Sequence, residues 1–274
     1  MNFVVFNNKL ISSNDINLTN KNRGFLYGDG FFESIKIFNQ SPFNFNNHYN
    51  RIELSAVFLG LEFSLSKQEL LIKLTELIHS NKLVNGSIRI TIFRDSDGKY
   101  YPNSNESSYI ITSLNDQNSS FQKNNRLSLG VYDDNLKSKS KLSNIKSLNS
   151  LLYVLASKYA KINGFDDVLL LNSSNSIIES TNSNLFLKVN DVVYTPPLSE
   201  GCVDGSMRKI LIPIIEKEYK LTYKSLQIKD LLESDEVILS NAISGIKKVT
   251  LFKEREYNDE SLYNYLLKSI NNLI

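Results

Sequence analysis

The sequence predicts an α+β protein of two domains. Three observations carry that expectation. Apolar residues alternate, the period of a half-buried strand, at 31–38 (FFESIKIF), and β-branched residues dominate 87–94 and 108–113. Between these runs the spacing switches to the helical period. A polar stretch nearly free of aliphatic residues, LNDQNSSFQKNN at 114–125, then separates two mixed halves. The expected domains are 1–115 and 126–274, with 116–125 as the connection.

In the first half, a helix is expected from Asn47 to Gly60, with Ile52, Leu54, Val57, Phe58 and Leu61 available for its apolar stripe and Gly60 as its stop. Ser66 and Glu69 form a capping-box pattern that opens a second helix running to about Ser80. In the second half, residues 133–144 read as a polar loop containing KSKSK, whose lysines have the usual character of a solvated charge run. A helix follows from about Leu148 to Asn163, ended by Gly164. Strands are expected at 167–171, 184–189 and 192–195, a helix near Gly205, strands at 221–226, 236–239 and 247–252, and a closing helix from about Glu260.

Composition narrows the function. Of 274 residues, 31 are Lys or Arg and 29 are Asp or Glu, so the net charge of +2 gives no electrostatic footprint for nucleic acid or an anionic membrane. A single cysteine, Cys202, forms no internal disulfide and fits a reducing compartment, so a cytoplasmic protein is expected. No apolar run is long enough to span a bilayer. The two histidines, His48 and His79, have no metal-ligand spacing, so no metal site is expected. Phosphate-loop, dinucleotide and nucleophile-elbow signatures are all missing. The chemistry then falls to lysine, carboxylates or a bound cofactor. Lys146 stands immediately before the apolar run LLYVLA, where a helix N-terminus combined with burial would favour the neutral, nucleophilic amine.

Six motifs in order resemble the class IV aminotransferases, the fold-type IV pyridoxal-phosphate enzymes, which include branched-chain and D-amino-acid aminotransferases and 4-amino-4-deoxychorismate lyase. They are Tyr27-Gly28-Asp29-Gly30-Phe31-Phe32-Glu33; His48-Tyr49-Asn50-Arg51-Ile52; Ile145-Lys146-Ser147-Leu148-Asn149; Ile177-Ile178-Glu179 followed by Asn184-Leu185-Phe186; Thr195-Pro196 with Gly205-Ser206-Met207-Arg208; and Asn241-Ala242. The resemblance implies a two-domain, D-amino-acid aminotransferase-like α+β architecture and pyridoxal 5'-phosphate as cofactor. It implies that Lys146 is the Schiff-base lysine and general base, and that Glu179 faces the ring nitrogen. It further implies that Arg51, Gly205, Ser206, Met207, Asn241 and Ala242 contribute to cofactor binding. Phe32, Lys99 and Tyr101 stand where relatives bind substrate.

The substrate stays open at this point. Ser34 replaces a glycine typical of branched-chain enzymes, and Lys99 and Tyr101 replace an arginine and a histidine typical of D-amino-acid enzymes. The Gly205–Arg208 turn and the Asn241–Ala242 pair look more like the lyase. The leading expectation is an amino-acid transaminase using an amino-group substrate and a keto acid. The alternative is a lyase releasing pyruvate and 4-aminobenzoate. Resemblance also implies a homodimer, with the loop at 99–105 as the candidate for completing a partner's pocket.

Overall fold

A computed structural model describes residues 2–274. The chain divides into two units. The first holds the described residues up to Ser120 together with Lys146–Asn149; the second holds Phe121–Ile145 and Ser150–Ile274. The division at Ser120 falls inside the polar stretch. Assigning everything from 126 onward to one C-terminal domain, however, misses the four residues 146–149, which cluster with the first unit.

In the first unit, β1 (Phe3–Phe6), β2 (Lys9–Ser12), α1 (Arg23–Tyr27), β3 (Gly30–Phe38), β4 (Ser41–Pro42), α2 (Phe45–Leu59), α3 (Lys67–Ser80), β5 (Gly86–Arg94) and β6 (Ser107–Asn115) follow in order. The strands make an antiparallel sheet, β2-β1-β6-β5-β3-β4. Ile35, Ile37, Ile88, Ile90, Ile92 and Ile111 are fully buried, as the period of two requires. Ser66 and Glu69 form the reciprocal capping box of α3, and Gly60 ends α2 in the left-handed region at φ 61°.

The stripe of α2 differs from the expected one. Its buried residues are Phe45, His48, Tyr49, Arg51, Ile52, Ser55 and Ala56, whereas Leu54, Val57 and Phe58 are exposed. At 100° per residue, 54, 57 and 58 fall on the side opposite 52 and 56, so the helix cannot bury both sets.

The second unit runs β7 (Ser128–Lys137), α4 (Leu151–Ile162), β8 (Asp167–Asn172), β9 (Ile177–Ser180), β10 (Asn184–Val189), β11 (Val192–Thr195), α5 (Ser206–Ile215), β12 (Lys220–Tyr223), α6 (Ile228–Glu233), β13 (Glu236–Asn241), β14 (Gly245–Lys248), β15 (Leu251–Phe252), β16 (Arg255–Glu256) and α7 (Ser261–Asn271). Its sheet runs β12-β11-β10-β9-β8-β7-β15-β16, with β13 paired to β10 and β14. One face packs Leu129, Leu169, Leu185, Leu187, Leu239 and Phe252 into a single cluster. Asn184 is opposite Glu179 of β9 on one side and Ser240 of β13 on the other. Directly paired residues share a face, so Glu179, Asn184 and Ser240 form one row across three strands.

Two readings between residues 133 and 151 change. The polar stretch at 133–144 is not a solvated loop throughout, because β7 continues to Lys137, which is buried at 9% exposure. A register shift against β8 between Tyr132 and Lys137 turns that lysine inward. The helix after the lysine motif begins only at Leu151 with Ser150 as its N-cap, so Lys146 lies upstream of the helix rather than at its N-terminus. The helix-field argument for its reactivity therefore does not apply.

Candidate active site

Lys146 belongs to a short extended segment laid against β3. The Phe32 N–H donates to the Lys146 carbonyl at 2.9 Å and the Leu148 N–H to the Gly30 carbonyl at 3.0 Å, with Ser147 bridged to Phe31. Two sequence motifs meet here, and the glycines explain how. Gly28 caps α1 at φ +62°, and a side chain on it would sit 2.7 Å from Asn149 Oδ1, while Asn149 Nδ2 donates to the Gly28 carbonyl. Gly30 packs its Cα against the Ile92 carbonyl with no room for a Cβ. The Lys146 ammonium lies 4.4 Å from the centroid of the Phe32 ring, and the Arg89 guanidinium stacks over the same ring at 3.6 Å.

Elsewhere in the first unit, Arg51 is 6% exposed and grips Glu33 with both sides of its fork, Nε to Oε1 at 2.5 Å and Nη2 to Oε2 at 2.8 Å. His48 Nδ1 is 2.7 Å from the same Oε2. Burial pushes the Glu33 carboxyl up, but Arg51 and His48 outweigh it and hold the group at about 2. The H-x-x-R motif therefore fixes its arginine through Glu33 of the glycine motif. Lys99 and Tyr101 lie on an exposed loop, with Tyr101 at 87% exposure. Arg23 ties that loop down by donating to the carbonyls of Gly98, Lys99 and Tyr100 while also bonding Asp29.

In the second unit Glu179 is 3% exposed and held by three donors. Oε1 accepts from Lys137 Nζ at 2.6 Å and from Tyr153 OH at 2.9 Å; Oε2 accepts the Val203 N–H at 2.8 Å. Asn184 Nδ2 donates to the Val203 carbonyl, so neighbouring members of the row clamp both sides of Val203. Burial raises the Tyr153 hydroxyl well above its ordinary range and, with the Glu179 charge, the Cys202 thiol to about 12, so both stay neutral.

Two residues beyond Val203, Gly205 is the N-cap of α5, and a Cβ there would collide with Asn184 Oδ1. The start of α5, carrying Ser206 and Met207, is thereby seated on the row that holds Glu179. First-turn N–H groups have no partner within their helix, which makes such an end an anion cradle. The hydroxyl of Ser240, third in the row and 1% exposed, has no hydrogen-bond partner among the described residues. Next to it, Asn241 Oδ1 accepts the N–H groups of Ile243 and Ser244 and so shapes the turn that holds Ala242.

Sequence reasoning did not single out Lys137, Tyr153 or Val203. Lys137 sat in an ordinary basic run, and only the register shift in β7 distinguishes it. No helix among the described residues is long and apolar enough to cross a membrane.

The fold, with an acid and a helix N-terminus on one sheet row and a lysine in the Lys-Ser-Leu-Asn segment, is that of the fold-type IV pyridoxal-phosphate enzymes. Residues 30–252 match the family model for amino-transferase class IV, and the chain belongs to that family. It is 26% identical over 261 residues to a Methanocaldococcus jannaschii protein assigned as a branched-chain-amino-acid aminotransferase, covering 94% of this chain and 91% of that one. It is likewise 26% identical over 262 residues to the D-alanine aminotransferase of Staphylococcus aureus strain N315, covering 93% and 91%. Among solved structures, a Legionella pneumophila protein assigned as a 4-amino-4-deoxychorismate lyase superposes with a TM-score of 0.88 at 26% identity, covering 96% of this chain and 97% of that one.

Proposed function

We propose that this class IV enzyme is an amino-acid transaminase that holds pyridoxal 5'-phosphate on Lys146. The observation that carries the cofactor reading is the row Glu179–Asn184–Ser240 with the α5 N-terminus seated on it. It offers an acid for a pyridine nitrogen and an anion cradle for a phosphate from one rigid face. The donor set suits the group: a buried carboxylate, the N–H groups that open α5, and the buried Ser240 hydroxyl beside them.

When bound, pyridoxal phosphate supplies the electron sink for bond breaking at the substrate Cα. In this reading the Lys146 amine would hold the cofactor and would serve as the base for the proton at the substrate Cα. Glu179 holds the proton on the ring nitrogen. Gly205, Ser206 and Met207 bind the phosphate through backbone donors, with Arg51 as the guanidinium and the Asn241–Ala242 turn as a further contact. Phe32, Lys99 and Tyr101 are assigned to substrate, Lys99 as a point charge for a carboxylate. The substrates are then an amino acid and a keto acid, and the working state is a homodimer.

The match to relatives named as aminotransferases, over 91% of each of them, favours transamination. The lyase reading is favoured by the Asn241–Ala242 turn and by the Legionella structure. One experiment separates them. The loaded protein is incubated with a panel of L- and D-amino acids, with and without 2-oxoglutarate or pyruvate, and separately with 4-amino-4-deoxychorismate. Turnover that requires a keto-acid acceptor supports the proposal. Release of pyruvate and 4-aminobenzoate without an acceptor replaces it with the lyase.

A further inference from the structure

Lys137 is a buried cation that the family motifs do not include. Its Nζ donates to Glu179 Oε1 at 2.6 Å and to the Ser143 carbonyl at 2.8 Å, and it lies 5.3 Å from the centroid of the Tyr153 ring. Tyr153 and Cys202 stay neutral, so Lys137 carries the only full charge in hydrogen-bond reach of Glu179 among the described residues.

The two carboxylate oxygens are used differently. Oε1 accepts two donors, from Lys137 and Tyr153, whereas Oε2 accepts one, from Val203. A carboxylate oxygen has two lone pairs, so Oε2 keeps one for another N–H. Val203 is itself fixed by Asn184, which leaves the carboxylate little freedom to rotate.

We propose that Lys137 is a positioning residue that drives the proton shared by Glu179 and the cofactor's ring nitrogen onto the ring. This rests on the assignment of Glu179 to that nitrogen. A proton between a buried carboxylate and a pyridine has two places. On the carboxylate it leaves a neutral pair; on the ring it makes an ion pair, which burial alone disfavours. A cation bound to the far oxygen reverses the preference. Moving the proton to the ring leaves a negative charge next to Lys137 and puts the positive charge farther off, so the attraction gained exceeds the repulsion added. Lys137 thus strengthens the electron sink without touching cofactor or substrate. A lysine serving only to neutralise a buried acid would stabilise the fold and leave the ring proton where it was.

The test uses protein loaded with pyridoxal phosphate labelled with 15N in the ring, in the wild type and in Lys137→Met, Lys137→Gln and Lys137→Arg. In the wild type and Lys137→Arg the ring 15N resonance falls at the protonated position. In Lys137→Met it moves toward neutral pyridine, with kcat down about tenfold or more and KM changed less than about threefold. Lys137→Gln keeps a donor for Oε1 and removes only the charge, so it gives the same shift and stands in if Lys137→Met does not fold. If Lys137→Gln keeps the wild-type resonance, the charge plays no part and the inference is overturned. A wild type that loads on Lys146 with a neutral ring nitrogen overturns this inference and the ring-proton role of Glu179, and leaves the cofactor assignment standing. A wild type that binds no pyridoxal phosphate overturns the cofactor assignment with it.

Discussion

Replacing Gly205 with alanine probes the seat of α5 directly. The new methyl carbon would collide with Asn184 Oδ1, and Asn184 cannot swing aside freely because it is 6% exposed and its Nδ2 is held by the Val203 carbonyl at 2.8 Å. Overpacking of this kind costs about 1–3 kcal/mol. Asn184→Ala alone leaves the Val203 carbonyl without that donor, at about 1–3 kcal/mol. Independent changes would sum to about 2–6 kcal/mol, but the same Oδ1 causes the clash. The double variant should therefore be at least about 1 kcal/mol more stable than the sum of the single effects. Thermal unfolding followed by circular dichroism reads this, since a chain of this size loses about 2–4 °C per kcal/mol. Additive losses would refute the argument that Asn184 and Gly205 are pressed together, and with it the seating of the α5 N-terminus on the Glu179 row.

Three further outcomes follow from the geometry. Glu33 has its ordinary value of 4.5 depressed to about 2, so its contribution is complete above the unfolded value and is lost as pH falls through the folded one. That shift corresponds to about 3 kcal/mol, so wild-type stability should fall more steeply than that of Glu33→Gln between about pH 4.5 and pH 2, measured by urea unfolding. Equal slopes would remove Glu33 from the account. Arg23→Met deprives the carbonyls of Gly98, Lys99 and Tyr100 of their shared donor; tryptic cleavage after Lys99 should accelerate by about tenfold, and an unchanged rate would show that the loop is held otherwise. Glu179→Gln should keep the cofactor and lose most of kcat, because a neutral amide does not hold the ring proton; wild-type turnover would contradict that role.

Much of the fold was legible locally. The alternation at 31–38, the Ser66–Glu69 capping box and Gly60 each encode their element within a few residues, and each is present in the structure. Boundaries and faces set by distant partners were not legible. Lys146–Leu148 pair with β3 more than a hundred positions earlier, so nothing nearby in sequence separates them from the helix that follows. Lys137 reads as a surface lysine until the register shift in β7 turns it onto Glu179. Leu54, Val57 and Phe58 are apolar yet exposed, and composition alone cannot tell such residues from core. The motifs supplied the candidate residues, whereas the contacts around them, Tyr153 and Val203 on Glu179 and Asn149 on Gly28, arise only from tertiary packing.

The central claim is that one lysine, Lys146, carries the cofactor, and one measurement addresses it. Protein loaded with pyridoxal phosphate is reduced with borohydride, digested and mapped by mass spectrometry, with Lys146→Ala treated in parallel. The account predicts a single phosphopyridoxyl-modified peptide containing Lys146, no modification in Lys146→Ala, and a Lys146→Ala fold close to wild type because this lysine is only half-buried. A label on Lys137, or on any lysine other than Lys146, would contradict it.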